Sequence, residues 1–336
     1  MSKYILALES SCDETACAII KDNTEILSNV VSSQINVHKL YGGVVPEVAS
    51  RIHIENISLV IEEALKEANI DIKDIDAIGI TQGPGLIGSL HVGVQAAKTI
   101  AWLYNKPIIP IHHIAGHIYA NSFVDTLEFP LLALVVSGGH TELVMMEEDY
   151  EFEVIGTTQD DAIGEAYDKV ARLLGLGYPG GPAIDNLAKS GKANYKLPIP
   201  KVDKPYDFSF SGLKSAVMQL INRLKKNNEE IIDADIAYIF QETALSLLVN
   251  NTKKALNDFK PKHLVLAGGV AANSRLRELM QELIKDYPDI KLTIPPLWCC
   301  TDNAAMIGAA TSIAYDKKMF KDLDFSARPS MDIEMR

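Results

Sequence analysis

Leu131-Leu132-Ala133-Leu134-Val135-Val136-Ser137-Gly138-Gly139-His140-Thr141-Glu142-Leu143-Val144-Met145-Met146 is the stretch whose reading decides the fold. Two apolar runs, Leu131–Val136 and Thr141–Met146, flank the tight joint Ser137-Gly138-Gly139-His140, the pattern of a β-hairpin. Phe152–Ile155 predicts a third strand. The same order stands near the start of the chain. There Tyr4–Leu8 and Ala16–Ile20 flank the polar turn Glu9-Ser10-Ser11-Cys12-Asp13-Glu14-Thr15, and Glu25–Val31 completes a meander. Each meander is followed by helices and strands in alternation. After the first come an amphipathic helix over Ser50–Ala68, a strand Ala77–Thr81, a helix through Val94–Trp102 and a strand Ile108–Ile111. After the second come a helix from about Ala162 to Leu174, a strand Leu264–Ala267 and a helix through Ala272–Leu283. The residues do not repeat, but the element order does. This predicts an α/β protein of two similar lobes, residues 1–125 and 126–336, with a mostly helical insertion over about 164–256 in the second.

Composition agrees with two domains and excludes several classes. At 336 residues the chain is long for a single core. Glu9 and Ser10 interrupt the first apolar run, so no secretory signal is expected, and no stretch reaches the roughly 18–20 apolar residues of a spanning helix. Four cysteines without Cys-x-x-Cys spacing fit reduced thiols in a cytoplasm. A net charge of −12 argues against a broadly basic nucleic-acid binder. An RNA contact would need a local patch, such as Lys225-Lys226 or Lys317, Lys318 and Lys321, though such short runs are also ordinary solvated helix faces.

The chemistry-bearing stretch is Ile111-His112-His113-Ile114-Ala115-Gly116-His117-Ile118-Tyr119-Ala120. On a helix, His113 and His117 stack one turn apart on one face and can reach the same metal ion. The pair alone is a weak motif and calls for a third ligand, for which Asp302 in Thr301-Asp302-Asn303 is the candidate. With Asp302 in the second lobe, the ion is expected to be held across the gap between lobes. Three glycine-rich joints suit an anionic ligand. Ser137-Gly138-Gly139-His140 lets backbone amides come close to an oxyanion. Gly268-Gly269-Val270-Ala271-Ala272-Asn273 leads into a helix start. Gly177-Tyr178-Pro179-Gly180-Gly181-Pro182 precedes Asp185, whose carboxylate could accept from ribose hydroxyls. Each alone is an unremarkable turn; together with Asp168 they favour a nucleotide pocket. Neither a Walker-type nor a Rossmann-type glycine motif is present. Two lobes with phosphate loops at hairpin turns suit an actin-like or sugar-kinase-like ATPase core.

The ordered set Glu9–Thr15, Tyr41-Gly42-Gly43-Val44-Val45-Pro46-Glu47, Gln82-Gly83-Pro84-Gly85-Leu86, His112-His113-x-x-x-His117, Val136-Ser137-Gly138-Gly139-His140-Thr141-Glu142, Phe208-Ser209-Phe210-Ser211-Gly212-Leu213-Lys214, Ala267–Asn273 and Thr301-Asp302-Asn303 resembles the TsaD family. These are the tRNA adenosine threonylcarbamoyltransferases once labelled sialoglycoprotein endopeptidases. The resemblance covers about residues 3–330, and His140 in the second glycine turn makes it similar to the bacterial branch. It implies an actin-like two-lobed fold. It also implies transfer of threonylcarbamoyl from its AMP anhydride to the exocyclic amine of the adenosine 3′ to the anticodon, in tRNAs reading codons that begin with A. By motif, it implies that His113, His117 and Asp302 bind a divalent metal, usually iron, and that Val136, Ser137, Gly138, Gly139, His140, Asp168, Gly181, Asp185 and Asn273 bind the adenylate. Two imidazoles and a carboxylate also suit zinc. Asp13 and Glu14, in the first hairpin, are the candidates for proton removal or nucleophile positioning. The expected partners are tRNA, threonylcarbamoyl-AMP, the shorter paralogue TsaB and the small P-loop ATPase TsaE. Ala115-Gly116 departs from the bulkier or acidic residues of many relatives, and a mid-helix glycine costs about 1 kcal/mol. A metallo-endopeptidase is the rival enzyme reading, but Ile114 stands where a His-Glu-x-x-His base would be. A non-catalytic ATP-binding regulatory module is the rival from another class.

Overall fold

The computed structural model describes residues 2–200 and 202–334. It divides into two compact units. The first opens with the predicted meander, β1 (Tyr4–Glu9), β2 (Glu14–Lys21) and β3 (Glu25–Ser33). A short helix α1 (Ile35–His38) leads to α2 (Pro46–Ala68), then β4 (Ala77–Gly83), α3 (Ile87–Tyr104), β5 (Ile108–His112) and α4 (His113–Tyr119). Helix α2 starts four residues before the predicted Ser50 because Pro46, with its fixed φ, suits the first helical position. It stops at Asn69 in the left-handed conformation, φ 52°.

The second unit repeats the plan. Its meander is β6 (Leu131–Val136), β7 (Thr141–Met146) and β8 (Phe152–Thr157). Four helices follow, α5 (Ile163–Leu173), α6 (Gly180–Ala188), α7 (Ser211–Lys226) and α8 (Asp233–Phe259), which form the predicted insertion. Then come β9 (His263–Ala267), α9 (Ser274–Leu283) and β10 (Lys291–Thr293). The sheets have one topology: orders β3-β2-β1-β4-β5 and β8-β7-β6-β9-β10, each an antiparallel meander extended by two parallel strands.

The domain assignment needs one correction. From Pro295 onward the chain returns to the first unit, as does the short piece Asp149–Glu151, so the first unit is not 1–125 and the second does not run to 336. The returning segment carries α10 (Leu297–Cys300) and α11 (Ala304–Asp316). The cause lies in the sheet. Leu6, Leu8, Cys17, Ile19, Ile78 and Ile80 form one core with Val60, Leu90 and Val94 of α2 and α3. Ile5, Ala7, Ala18 and Ile20 point to the opposite face and are equally buried. That face needs a cover, and leaving one such side chain in water would forfeit about 1.5–3 kcal/mol. Helix α11 supplies it. Gly308 lies so close to Ile20, and Gly79 of β4 so close to Thr311, that neither glycine has room for a methyl group.

In the second unit a carboxylate fixes the start of α7. Asp160 accepts from Ser209 Oγ at 2.6 Å, Ser211 Oγ at 2.7 Å, Phe210 N–H at 2.8 Å and Ser211 N–H at 3.1 Å. Burial opposes its ionisation, but these hydrogen bonds outweigh that and hold its carboxyl below the usual carboxylate range. A depressed folded pKa means stability that is present above the unfolded value and lost as the pH falls through the folded one. Asp160→Ala is therefore expected to cost about 1–2 kcal/mol at pH 7, the range for a lost cap. Denaturant melts at several pH values check this: the gap to wild type should close below about pH 4, and a constant gap would contradict it.

Candidate functional site

Strand β5 ends at His112 and α4 begins with the next residue. His112 makes the junction sharp. Its Nδ1 accepts the Ile114 N–H at 3.2 Å, capping the helix, and its Nε2 lies 3.1 Å from the Met331 carbonyl. Because Nδ1 accepts, Nε2 carries the proton and donates. The two following turns place His113 and His117 with ring centroids 4.8 Å apart and planes at 87°. Gly116, between them, stands where a Cβ would lie 2.7 Å from Ile307 Cδ1. The departure noted in the sequence thus lets α11 approach α4 closely.

Asp302 arrives just before α11. Asn303 caps that helix by accepting the Met306 N–H at 3.1 Å, and donates back to the Thr301 carbonyl at 2.8 Å, bracketing Asp302. Asp302 Oδ1 lies 3.1 Å from His117 Nε2 and 3.5 Å from His113 Nε2. One ligand atom from each of the three residues falls within 4.8 Å of the others. Nitrogen and oxygen ligands bound about 2.0–2.2 Å from one ion stand about 3–3.5 Å apart, the spacing that Asp302 Oδ1 keeps to each imidazole, and two imidazoles with a carboxylate are donors that suit a divalent metal. All three residues belong to the first unit. The expectation of an ion shared across two lobes is thereby corrected, because Asp302 lies in the returning segment.

The site is strongly charged. Burial alone would lower His113, but Asp302 and Glu9 outweigh it and hold its imidazole well above the usual value. Burial opposes ionisation of Asp302 too, yet His113 and His117 keep its carboxyl far below the carboxylate range. Nearby, burial and then the charges of Asp302 and Asp13 push Glu14 up to about 9, and Ser33 Oγ donates to it at 3.0 Å. A carboxyl raised to that level suits a group that handles protons. Asp13 sits in the turn between β1 and β2 with its carbonyl accepting from Gln34 N–H. Burial raises the thiol of Cys12 strongly, which makes it a poor nucleophile.

The second unit holds the residues expected to bind an adenylate. Its β6–β7 joint, Ser137–His140, lies against the β9 joint: Gly268, at φ +91°, comes so near Val136 O that a Cβ would be 2.5 Å from it. Space is open beside Gly138, Gly139, Gly181 and Gly269, where no protein atom lies within 4 Å of an added Cβ. The Ser137 hydroxyl already accepts from the amides of His140 at 3.0 Å and Gly139 at 3.3 Å, so part of the expected amide cradle is engaged within the turn. The polar side chains are engaged as well. Asp168 accepts the Gly180 N–H at 2.7 Å at the start of α6. Asp185 accepts from Ser274 N–H at 3.1 Å and Ser274 Oγ at 3.0 Å. Asn273 caps α9 through the Leu276 N–H at 2.8 Å and donates to Gln241 at 2.9 Å. Each has a structural duty whatever else it binds.

Sequence reasoning missed Glu9, whose carboxylate lies 3.1 Å from His113 Nδ1. Its signal was a charged residue closing an otherwise apolar strand. It also missed the capping role of His112, which only the strand–helix junction reveals.

A family model described as TsaD, tRNA N6-adenosine threonylcarbamoyltransferase, matches residues 25–309. The tRNA N6-adenosine threonylcarbamoyltransferase of Halalkalibacterium halodurans is 55% identical over 333 residues, covering 99% of this chain and 97% of the relative. Among solved structures, T. kodakarensis HypF is 15% identical with a TM-score of 0.65 over 95% of this chain and 48% of its own. The Acidaminococcus fermentans (R)-2-hydroxyglutaryl-CoA dehydratase component A is 17% identical with a TM-score of 0.55, covering 94% of this chain and 98% of its own. These two likenesses concern the fold, which is the actin-like one that the repeated meander predicts. The chain belongs to the tRNA N6-adenosine threonylcarbamoyltransferase family.

Proposed function

We propose that the chain transfers a threonylcarbamoyl group from threonylcarbamoyl-AMP to the N6 amine of the adenosine 3′ to the anticodon, in tRNAs reading codons that begin with A. The convergence of His113, His117 and Asp302 carries this reading. These residues would hold one divalent ion, iron first and zinc second, which when bound supplies Lewis acidity toward the donor's carbonyl. In the transfer, the amine nitrogen forms a bond to the carbamoyl carbon while the bond from that carbon to the phosphate oxygen breaks. AMP leaves with the bonding electrons. The nitrogen gives up one proton; Asp13 is the acceptor we assign, and Glu14, raised to about 9 and so protonated at neutral pH, positions the attacking amine. In the second unit, Val136–His140, Asp168, Gly181, Asp185 and Asn273 are the residues we assign to the adenylate, and the space left open beside Gly138, Gly139 and Gly181 supports this. That space suits the adenylate, with the remaining backbone amides facing its phosphate. tRNA, TsaB and TsaE are the proposed partners. No helix among the described residues is long and apolar enough to cross a membrane, and the cytoplasm is the proposed location.

The test is reconstitution with unmodified tRNA, threonylcarbamoyl-AMP and the two partner proteins, read by mass spectrometry of the digested tRNA. Stripping the protein with a chelator is expected to reduce the threonylcarbamoyladenosine formed by at least about 100-fold, and Fe(II) or Zn(II) to restore it. Full product from metal-stripped protein would rule out the metal-centred reading.

A further inference from the structure

Glu9 ends β1 fully buried, and its surroundings are made for a carboxylate. Three hydrogen-bond donors converge on it. The Ser11 N–H reaches Oε1 at 2.5 Å, the Thr81 hydroxyl reaches Oε2 at 2.6 Å, and His113 Nδ1 stands 3.1 Å from the same Oε2. A carboxylate only accepts, so it satisfies all three together, with Nδ1 of His113 protonated. The other ring nitrogen, Nε2, is the one that faces Asp302 at 3.5 Å. An imidazole with its proton on Nδ1 presents an Nε2 lone pair, which is what a metal requires.

We infer that Glu9 is a positioning residue for the metal centre: it fixes the tautomer and ring orientation of His113 so that Nε2 faces the ion. This rests on the metal reading given above and goes beyond it by assigning a residue that is not itself a ligand. Among the described residues, Ser11 Oγ, 3.2 Å from the same Nδ1, is the competing acceptor. It is the weaker one, since a hydroxyl carries no charge. His117 has no such partner: its buried Nδ1 has no hydrogen bond within the described protein. The orienting contact is therefore specific to His113.

Glutamine cannot replace Glu9. Its NH2 group must face either the Ser11 N–H or the Thr81 hydroxyl and His113. The first choice sets two donors against each other, and the second favours the His113 tautomer whose Nε2 carries the proton. Competition for Zn(II) against a chromophoric chelator tests this on the full chain. Glu9→Gln is expected to bind about 10–100-fold more weakly than wild type, the usual cost of losing an outer partner of a ligand. Ser11→Ala should stay within a few-fold. Affinity unchanged in Glu9→Gln, or lost equally in Ser11→Ala, overturns the assignment to Glu9. His113→Ala separates the two levels of the argument: if it too binds like wild type, the metal site itself is wrong. A measurement on unaltered protein guards against a variant that does not fold. Long-range 1H–15N spectra of Zn-loaded, histidine-labelled wild type should show His113 protonated on Nδ1, and a proton on Nε2 overturns the proposal.

Discussion

Asp302→Ala is expected to leave tRNA without threonylcarbamoyladenosine when the variant is a cell's only copy. Asp302 Oδ1 faces both imidazole Nε2 atoms. Its removal deletes the negative ligand and leaves two neutral donors, which seldom hold an ion. The metal affinity should fall by more than the roughly 100-fold that losing an outer partner can cost. Asn303 caps α11 independently through its own side chain, so the fold should survive. Elemental analysis of the purified variant and mass spectrometry of cellular tRNA nucleosides check the two halves separately. Wild-type amounts of the modified nucleoside in such cells would contradict a metal-centred mechanism, and a retained metal would contradict the ligand assignment.

Gly79→Ala is expected to be among the most damaging single methyl groups in the first unit. Gly79 lies in β4, paired with Ala7 of β1 and Ile109 of β5. An added Cβ would overlap Thr311 Oγ1 and stand 2.8 Å from Thr311 Cβ and Cγ2. Thr311 has no long side chain to swing away, and its hydroxyl is tied to the Ile307 carbonyl at 2.6 Å. The backbones must part instead, at about 1–3 kcal/mol or more. Denaturant unfolding measures the loss. The double variant with Thr311→Ala should recover part of it, with a coupling of about 0.5–3 kcal/mol. If Thr311→Ala restores nothing, the strain lies elsewhere. Because Asp302 sits two residues before α11, the single variant should also weaken metal binding.

Much of this was legible beforehand, for identifiable reasons. The hairpin Leu131–Met146 was read to the residue because its strands are apolar and its turn is not. The repeat of that order predicted both sheets. The histidine pair was visible because helical spacing is local. Helix α11 was not read: its residues are buried nearly all round, so it lacks the one-sided periodicity that marks a surface helix. Strand β10 is only three residues long and escaped for that reason. The return of the chain after Pro295 is a matter of which face lacks a cover, and no local pattern records that. The bonds of Asp168 and Asp185 to helix starts depend on partners in other segments, whereas Asn273 caps α9 locally, through the N–H three residues on. Glu9 stood in a quoted motif, but its meaning required His113, a hundred residues away, to be placed beside it.

The order in which a ribosome delivers these residues has a consequence for biosynthesis. The first unit opens with β1 to β3 and is completed by α11, which is translated only after the whole second unit. A nascent polypeptide therefore exposes one face of its first sheet, and lacks Asp302, until the second unit has been made. Messages cut short before codon 302 yield chains without the third proposed ligand, so assembly of that donor set waits on synthesis of the second unit.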